Sequence, residues 1–167
     1  PVPMALGHEA AGIVEQVGPA IDHISVGDEV LAYNRQDHVQ NGTLAELVPV
    51  PVRAVAPKAP SVTWSAAAAL PLAGLTAQQA LFDRLRLRPG ETVLVHAAAG
   101  GVGTFAVQLA VLAGARVIGT ASEANHDYLR GLGAEPVTYG YGLVEAVRAA
   151  CPAGVDAVLD LVGGEAL

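Results

Sequence analysis

Seven small residues, Ala97-Ala98-Ala99-Gly100-Gly101-Val102-Gly103, stand between two apolar runs. The run before them, Thr92-Val93-Leu94-Val95-His96, is short and β-branched, as a strand buried on both faces would be. The run after them, residues 104–113, has helix length, and Gly114 stops it. A glycine turn between such a strand and such a helix leaves backbone N–H groups bare at the positive helix end. That chemistry cradles a pyrophosphate. A side chain at Gly100 or Gly101 would block the phosphates, and Gly103 lets helix and strand pack closely. Ala98, Ala99, Gly100, Gly101, Val102 and Gly103 are therefore the candidate phosphate-binding residues.

The spacing is A-x-x-G-x-x-G, not G-x-G-x-x-G, so the motif alone is weak and its setting must carry it. The setting is regular. Arg116-Val117-Ile118-Gly119-Thr120-Ala121 reads as a second buried strand, followed by a helix through Leu129 and a glycine stop at Gly131 or Gly133. A third strand is expected around Val137-Thr138-Tyr139, a helix around residues 143–149, and a fourth strand over residues 155–162. The order β-α-β-α-β-α-β predicts an α/β fold with a doubly wound parallel sheet of Rossmann type.

The end of the second strand bears on which dinucleotide would bind. NAD-binding units place a carboxylate there to hold the ribose hydroxyls. Here the position is Ala121, followed by Ser122, and Glu123 is expected to point away. A carboxylate would repel a 2′-phosphate, whereas a small residue and a hydroxyl would not. The expected cofactor is NADPH, with Ser122, Asn125, His126 and Tyr139 as candidate phosphate neighbours. Asn125 could equally cap the helix beginning near His126.

Residues before Pro60 read as β structure. Residues 12–17 alternate in part, Val26-Gly27-Asp28 turns into Glu29-Val30-Leu31-Ala32-Tyr33, and Asn41-Gly42 is a hairpin signal. The Val-rich stretch 48–55 is interrupted by Pro51, which suits an edge or a bend. Pro57-Lys58-Ala59-Pro60 marks a boundary. Ser61 is expected to cap a helix carrying Trp64 to Leu70. Pro71 would break that helix, and residues 73–85 would resume it.

These segments resemble the quinone oxidoreductase branch of the medium-chain dehydrogenase/reductase superfamily. The matching blocks are Leu6-Gly7-His8-Glu9-Ala10-Ala11-Gly12-Ile13-Val14, Val26-Gly27-Asp28-Glu29-Val30 and Gly42-Thr43-Leu44-Ala45-Glu46. They continue in Ala68-Ala69-Leu70-Pro71-Leu72-Ala73-Gly74-Leu75-Thr76-Ala77, the glycine turn, and Asp160-Leu161-Val162-Gly163-Gly164. The resemblance implies part of a GroES-like β-rich catalytic domain over residues 1–60, a helical connection over 61–90, and part of a Rossmann dinucleotide-binding domain over 91–167. It implies a zinc-independent, NADPH-dependent transfer of hydride to a quinone or an α,β-unsaturated carbonyl compound, by a homodimer. Thr76 would contact the nicotinamide side, or serve only helix packing or capping. Tyr33 and Asn34 would line the substrate cleft, and no acid-base residue is named. Family chains are roughly twice as long, so this reads as a partial chain whose open sheet edges would self-associate.

Zinc-dependent alcohol dehydrogenase is the competing reading, because Gly7-His8-Glu9 supplies a ligand in the zinc enzymes of the superfamily. A catalytic zinc usually takes three protein ligands. The later cysteine position falls on or beside Leu72, and residues 33–40 hold no cysteine for a structural zinc, only Asp37 and His38. His8 is thus read as a structural or cleft histidine, His23 as a surface residue, His96 as a strand end, and no metal is expected. A third reading is a chain that binds cofactor without turnover.

Composition agrees. The 167 residues are 52% hydrophobic with 4% aromatics, enough for a core of small aliphatic side chains. The net charge of −7 without a basic cluster argues against nucleic acid and anionic membranes as partners. One cysteine, Cys151, allows no internal disulfide, suits the cytoplasm, and reads as an incidental surface thiol. No segment qualifies as membrane-spanning.

Overall fold

The computed structural model describes residues 5–35 and 40–164. The chain divides into two compact units, Pro1–Leu72 and Ala73–Leu167. Among the described residues, no helix is long and apolar enough to cross a membrane.

In the first unit, β1 (Glu9–Ile13), β2 (Glu29–Tyr33) and β3 (Val55–Pro57) form an antiparallel sheet in that order. Glu9 pairs with Tyr33, and Val30 with Pro57. The first strand begins earlier than its alternation suggested. Among the described residues, Asn41-Gly42 joins no pair of strands; Asn41 forms one isolated parallel bridge with Ala5. Gly42 is needed for close approach instead, since a Cβ there would lie 2.3 Å from the Leu6 carbonyl. The Val-rich stretch gives a short 3-10 turn, Val52–Ala54, and only then β3. Pro51 at the turn entry has no N–H to offer a ladder.

Helix α1 (Trp64–Ala68) is capped by Thr63, not Ser61: the Thr63 hydroxyl accepts the Ala66 N–H at 3.3 Å. Beside it, Lys58 is buried, with Nζ 2.9 Å from Glu29 Oε2 and 4.7 Å from the Trp64 ring centre. Pro71 does not merely break a helix; it opens α2 (Pro71–Gln78), where its missing N–H costs nothing. The helix runs on as a π-helical stretch, Gln79–Arg84.

The second unit is a four-stranded parallel sheet of β4 (Thr92–Val95), β5 (Arg116–Ala121), β6 (Glu135–Thr138) and β7 (Ala157–Leu159), ordered β6-β5-β4-β7. Alternation sends Val93, Val95 and Val117 to one face, where α3 (Gly101–Leu112) and Leu129 of α4 (His126–Gly131) cover them. Leu94, Ile118 and Val137 point to the other face, under α5 (Leu143–Ala150). Helices on both faces make the sheet doubly wound, as expected. Strand β7 is shorter than the apolar stretch 155–162. Asp156 brackets it at one end, donating its N–H to the Thr92 carbonyl and accepting the Thr92 N–H. At the other end Asp160 closes a turn by accepting the Val162 and Gly163 N–H groups. Cys151 is no surface thiol. It is buried in the second apolar cluster, with Sγ 3.0 Å from the Gly154 carbonyl.

Candidate functional site

A parallel α/β sheet gathers ligands at the carboxyl ends of its strands, because turns and helix N-termini meet there. A cavity of about 850 Å³ lies at that edge. Its walls come from successive strand ends: His96, Ala97, Ala99 and Gly100 after β4, Thr120 to Ser122 at β5, Tyr139 to Tyr141 after β6, and Val162 after β7. Among the described residues, no carboxylate lines it.

The turn after β4 is held open by backbone geometry. Ala97 sits at φ +50, a left-handed conformation that is strained for a residue with a Cβ. Its strain is tolerated because its N–H is anchored at 3.1 Å to the Thr120 hydroxyl, while the Ala98 N–H donates to the Thr120 carbonyl. Gly100 is the N-cap of α3, and no side chain caps it. The first-turn N–H groups of α3 lack intrahelical partners and carry the positive end of the dipole, with no acidic residue in that turn. A Cβ at Gly101 would meet nothing within 4 Å, so only a small residue keeps this space clear for a ligand. A Cβ at Gly103 would collide with the Ala97 carbonyl at 2.3 Å and Ala98 Cα at 2.7 Å. The glycines thus do two different jobs: Gly101 faces open space, and Gly103 permits contact between helix and turn.

The sequence-derived candidates separate accordingly. Ala99, Gly100, Ser122, Asn125 and Tyr139 line the cavity. Ala98 is wholly buried behind it, and Gly101, Val102 and Gly103 form the first turn of α3. Asn125 occupies the N-cap position of α4, but its side chain donates to Ser122 Oγ at 3.1 Å instead of capping the helix. His126 stands outside the lining, with Nε2 3.5 Å from Thr138 Oγ1. Thr76 lies on α2, outside the lining. Tyr33 ends β2 in the other unit. Asn34 is buried there; its Nδ2 donates to the Asn41 carbonyl at 2.9 Å, and its Oδ1 has no partner among the described residues. Asp37 and His38 lie outside the described residues.

Sequence reasoning passed over His96, Thr120 and Tyr141 as site residues. His96 is only 5% exposed yet lines the cavity, and its Nδ1 lies 3.3 Å from Thr120 Oγ1. Tyr141 stands fully exposed between Gly140 at φ +99 and Gly142 at φ +82. The repeated Tyr-Gly of residues 139–142 was the available signal for it. Asp160 has its carboxyl below the usual carboxylate range because the Val162 and Gly163 N–H groups bond its charged form.

Among the described residues no three His, Cys, Asp or Glu side chains group together. Glu9 is used locally, its Oε2 accepting the Leu72 N–H at 2.7 Å, and leucine offers no metal ligand.

A doubly wound parallel sheet whose glycine turn opens a helix beside an edge cavity defines a Rossmann-type dinucleotide-binding unit, here preceded by a β-rich GroES-like part. Family matches agree along most of the chain: "Alcohol dehydrogenase GroES-like domain" over residues 1–60 and "Zinc-binding dehydrogenase" over residues 101–167. The chain belongs to the medium-chain dehydrogenase/reductase superfamily, whose members are oxidoreductases binding a nicotinamide cofactor. It is 44% identical over 165 residues to the polyketide synthase GfsB of Streptomyces halstedii, covering 99% of this chain and 3% of that protein. Three solved structures share the fold at a TM-score of 0.85 each. The CurK enoyl reductase is 36% identical, with 97% of this chain and 48% of that one covered. The quinone oxidoreductase from Coxiella burnetii is 39% identical, with 99% and 51% covered. Mycobacterial Rv1454c complexed with NADPH is 37% identical, with 96% and 51% covered. The chain thus spans about half the length of these solved relatives.

Proposed function

We propose that this chain carries the cofactor-binding part of an NADPH-dependent oxidoreductase acting on a quinone or an α,β-unsaturated carbonyl compound. The observation that carries the reading is the end of β5. Ala121 and Ser122 line the cavity, whereas the next residue, Glu123, stands outside the lining, so a 2′-phosphate would meet a hydroxyl. Ser122 and Asn125 are already hydrogen-bonded to each other there, and Tyr139 faces the same space. The backbone N–H groups at the start of α3 would hold the pyrophosphate, and Gly101 leaves room for it.

When bound, the nicotinamide supplies hydride to an electron-poor carbon. The residues of this chain bind and orient; none is assigned as proton donor. Similarity to a structure solved with NADPH supports the cofactor, and similarity to a quinone oxidoreductase and an enoyl reductase supports the two acceptor classes. A homodimer working in the cytoplasm, away from nucleic acid and membrane, completes the proposal.

The test is a fluorescence titration of the chain with NADPH and with NADH. Tighter NADPH binding is expected; equal affinity, or preference for NADH, would overturn the cofactor assignment. Oxidation of NADPH on adding a quinone or an enone, followed by absorbance, then tests the acceptor. Binding without oxidation by either would favour a cofactor-binding chain without turnover.

A further inference from the structure

We propose that His96 is a neutral hydrogen-bond donor of the dinucleotide cavity, its Nε2–H held ready for an acceptor oxygen of the bound dinucleotide by the hydroxyl of Thr120. This rests on the cofactor reading above. Thr120 is 1% exposed and His96 is 5% exposed, so their polar atoms must find partners inside the protein or in the cavity. Thr120 Oγ1 accepts the Ala97 N–H at 3.1 Å. Its own proton still needs an acceptor, and His96 Nδ1, 3.3 Å away, is the acceptor within reach. A hydroxyl that donates to Nδ1 leaves the ring proton on Nε2.

Nε2 has no partner among the described residues, although His96 lines the cavity. The nearby Asp160 carboxylate is occupied by the Val162 and Gly163 N–H groups. A nearly buried donor without a protein partner, set beside a turn of bare N–H groups, is completed by an oxygen-bearing ligand. Thr120 is then a positioning residue: one hydroxyl fixes both the strained Ala97 and the His96 tautomer. The ring would add a directional bond to a site otherwise built from backbone.

The test uses the 167-residue chain labelled with 15N histidine. Nitrogen shifts should show the Nε2–H tautomer for His96 in the free protein, and that proton should move on adding NADPH. NADPH affinity should fall on the order of tenfold in His96→Ala and recover largely in His96→Gln, whose amide can donate. Thr120→Val should mix the tautomers and weaken binding, whereas Thr120→Ser should restore both; loss of a structural contact alone would not change the tautomer. An Nδ1–H tautomer in the wild type would overturn the inference. So would unchanged affinity in a folded His96→Ala variant. If the wild type binds neither NADPH nor NADH, the cofactor reading falls as well, which separates the two failures.

Discussion

Gly103 on α3 lies directly over the carbonyl of Ala97, so close that a Cβ built on Gly103 would sit 2.3 Å from that oxygen. The turn and the helix it opens are therefore one packed unit. Gly103→Ala forces backbone apart and should destabilise the chain by about 3 kcal/mol, read in a urea melt. An unshifted midpoint would mean that α3 can slide away from the turn at little cost.

Gly101 makes the opposite prediction. Its Cβ direction is open, so Gly101→Ala should leave stability unchanged or slightly raised. Gly101→Asp should also fold, since a carboxylate suits a helix N-terminus. Its NADPH affinity should nevertheless drop at least about 100-fold, because like charges would face each other at the pyrophosphate. Titration beside a melt separates the two effects, and retained affinity would remove Gly101 from the site.

Ser122→Asp places a carboxylate at the end of β5. Binding of NADPH should weaken by about tenfold or more, while NADH binding should hold or improve. Parallel titrations with the two nucleotides give the ratio. A ratio unchanged from wild type would place the 2′-phosphate elsewhere.

Lys58 shows 5% of its side chain to solvent, whereas its partner Glu29 shows 49%. The half-exposed partner weakens the pair, but the lysine stem and its contact with Trp64 are lost in Lys58→Ala. That variant should lose about 1–2 kcal/mol. Glu29→Gln, which keeps the shape, should lose less. The order of the two denaturation midpoints checks this.

Asp160 governs part of the acid limb of stability. Its folded carboxyl lies below the unfolded value because two N–H groups bond the charged form. Its contribution is therefore complete above the ordinary carboxylate pKa and disappears as pH falls through the lowered one. Asp160→Asn should flatten that stretch of the stability–pH curve and leave the neutral-pH slope unchanged. Denaturation midpoints measured from neutral to strongly acidic pH would detect it.

Much of the second unit was legible because each local signal stood alone. Arg116 to Ala121 forms the expected strand, Gly114 and Gly133 adopt left-handed conformations just past α3 and α4, and the region 143–150 is helical. The first unit was harder. Asn41-Gly42 looks like a hairpin turn because that pair tolerates positive φ, yet Gly42 is there for the nearness of Leu6. Thr63 outcompeted Ser61 as cap through where α1 begins, and boundaries depend on packing as much as on residue type.

By itself the sequence determined the strand-turn-helix order and the small residues at the turn, because periodicity and missing side chains are local properties. It also determined that β5 ends in Ala121 and Ser122 and not in a carboxylate. Only the tertiary structure decided that Gly103 packs while Gly101 faces open space, that Cys151 is buried, and that His96 meets Thr120 across two strands. Those relations join residues far apart in the chain, and only the register of β4 against β5 brings them together.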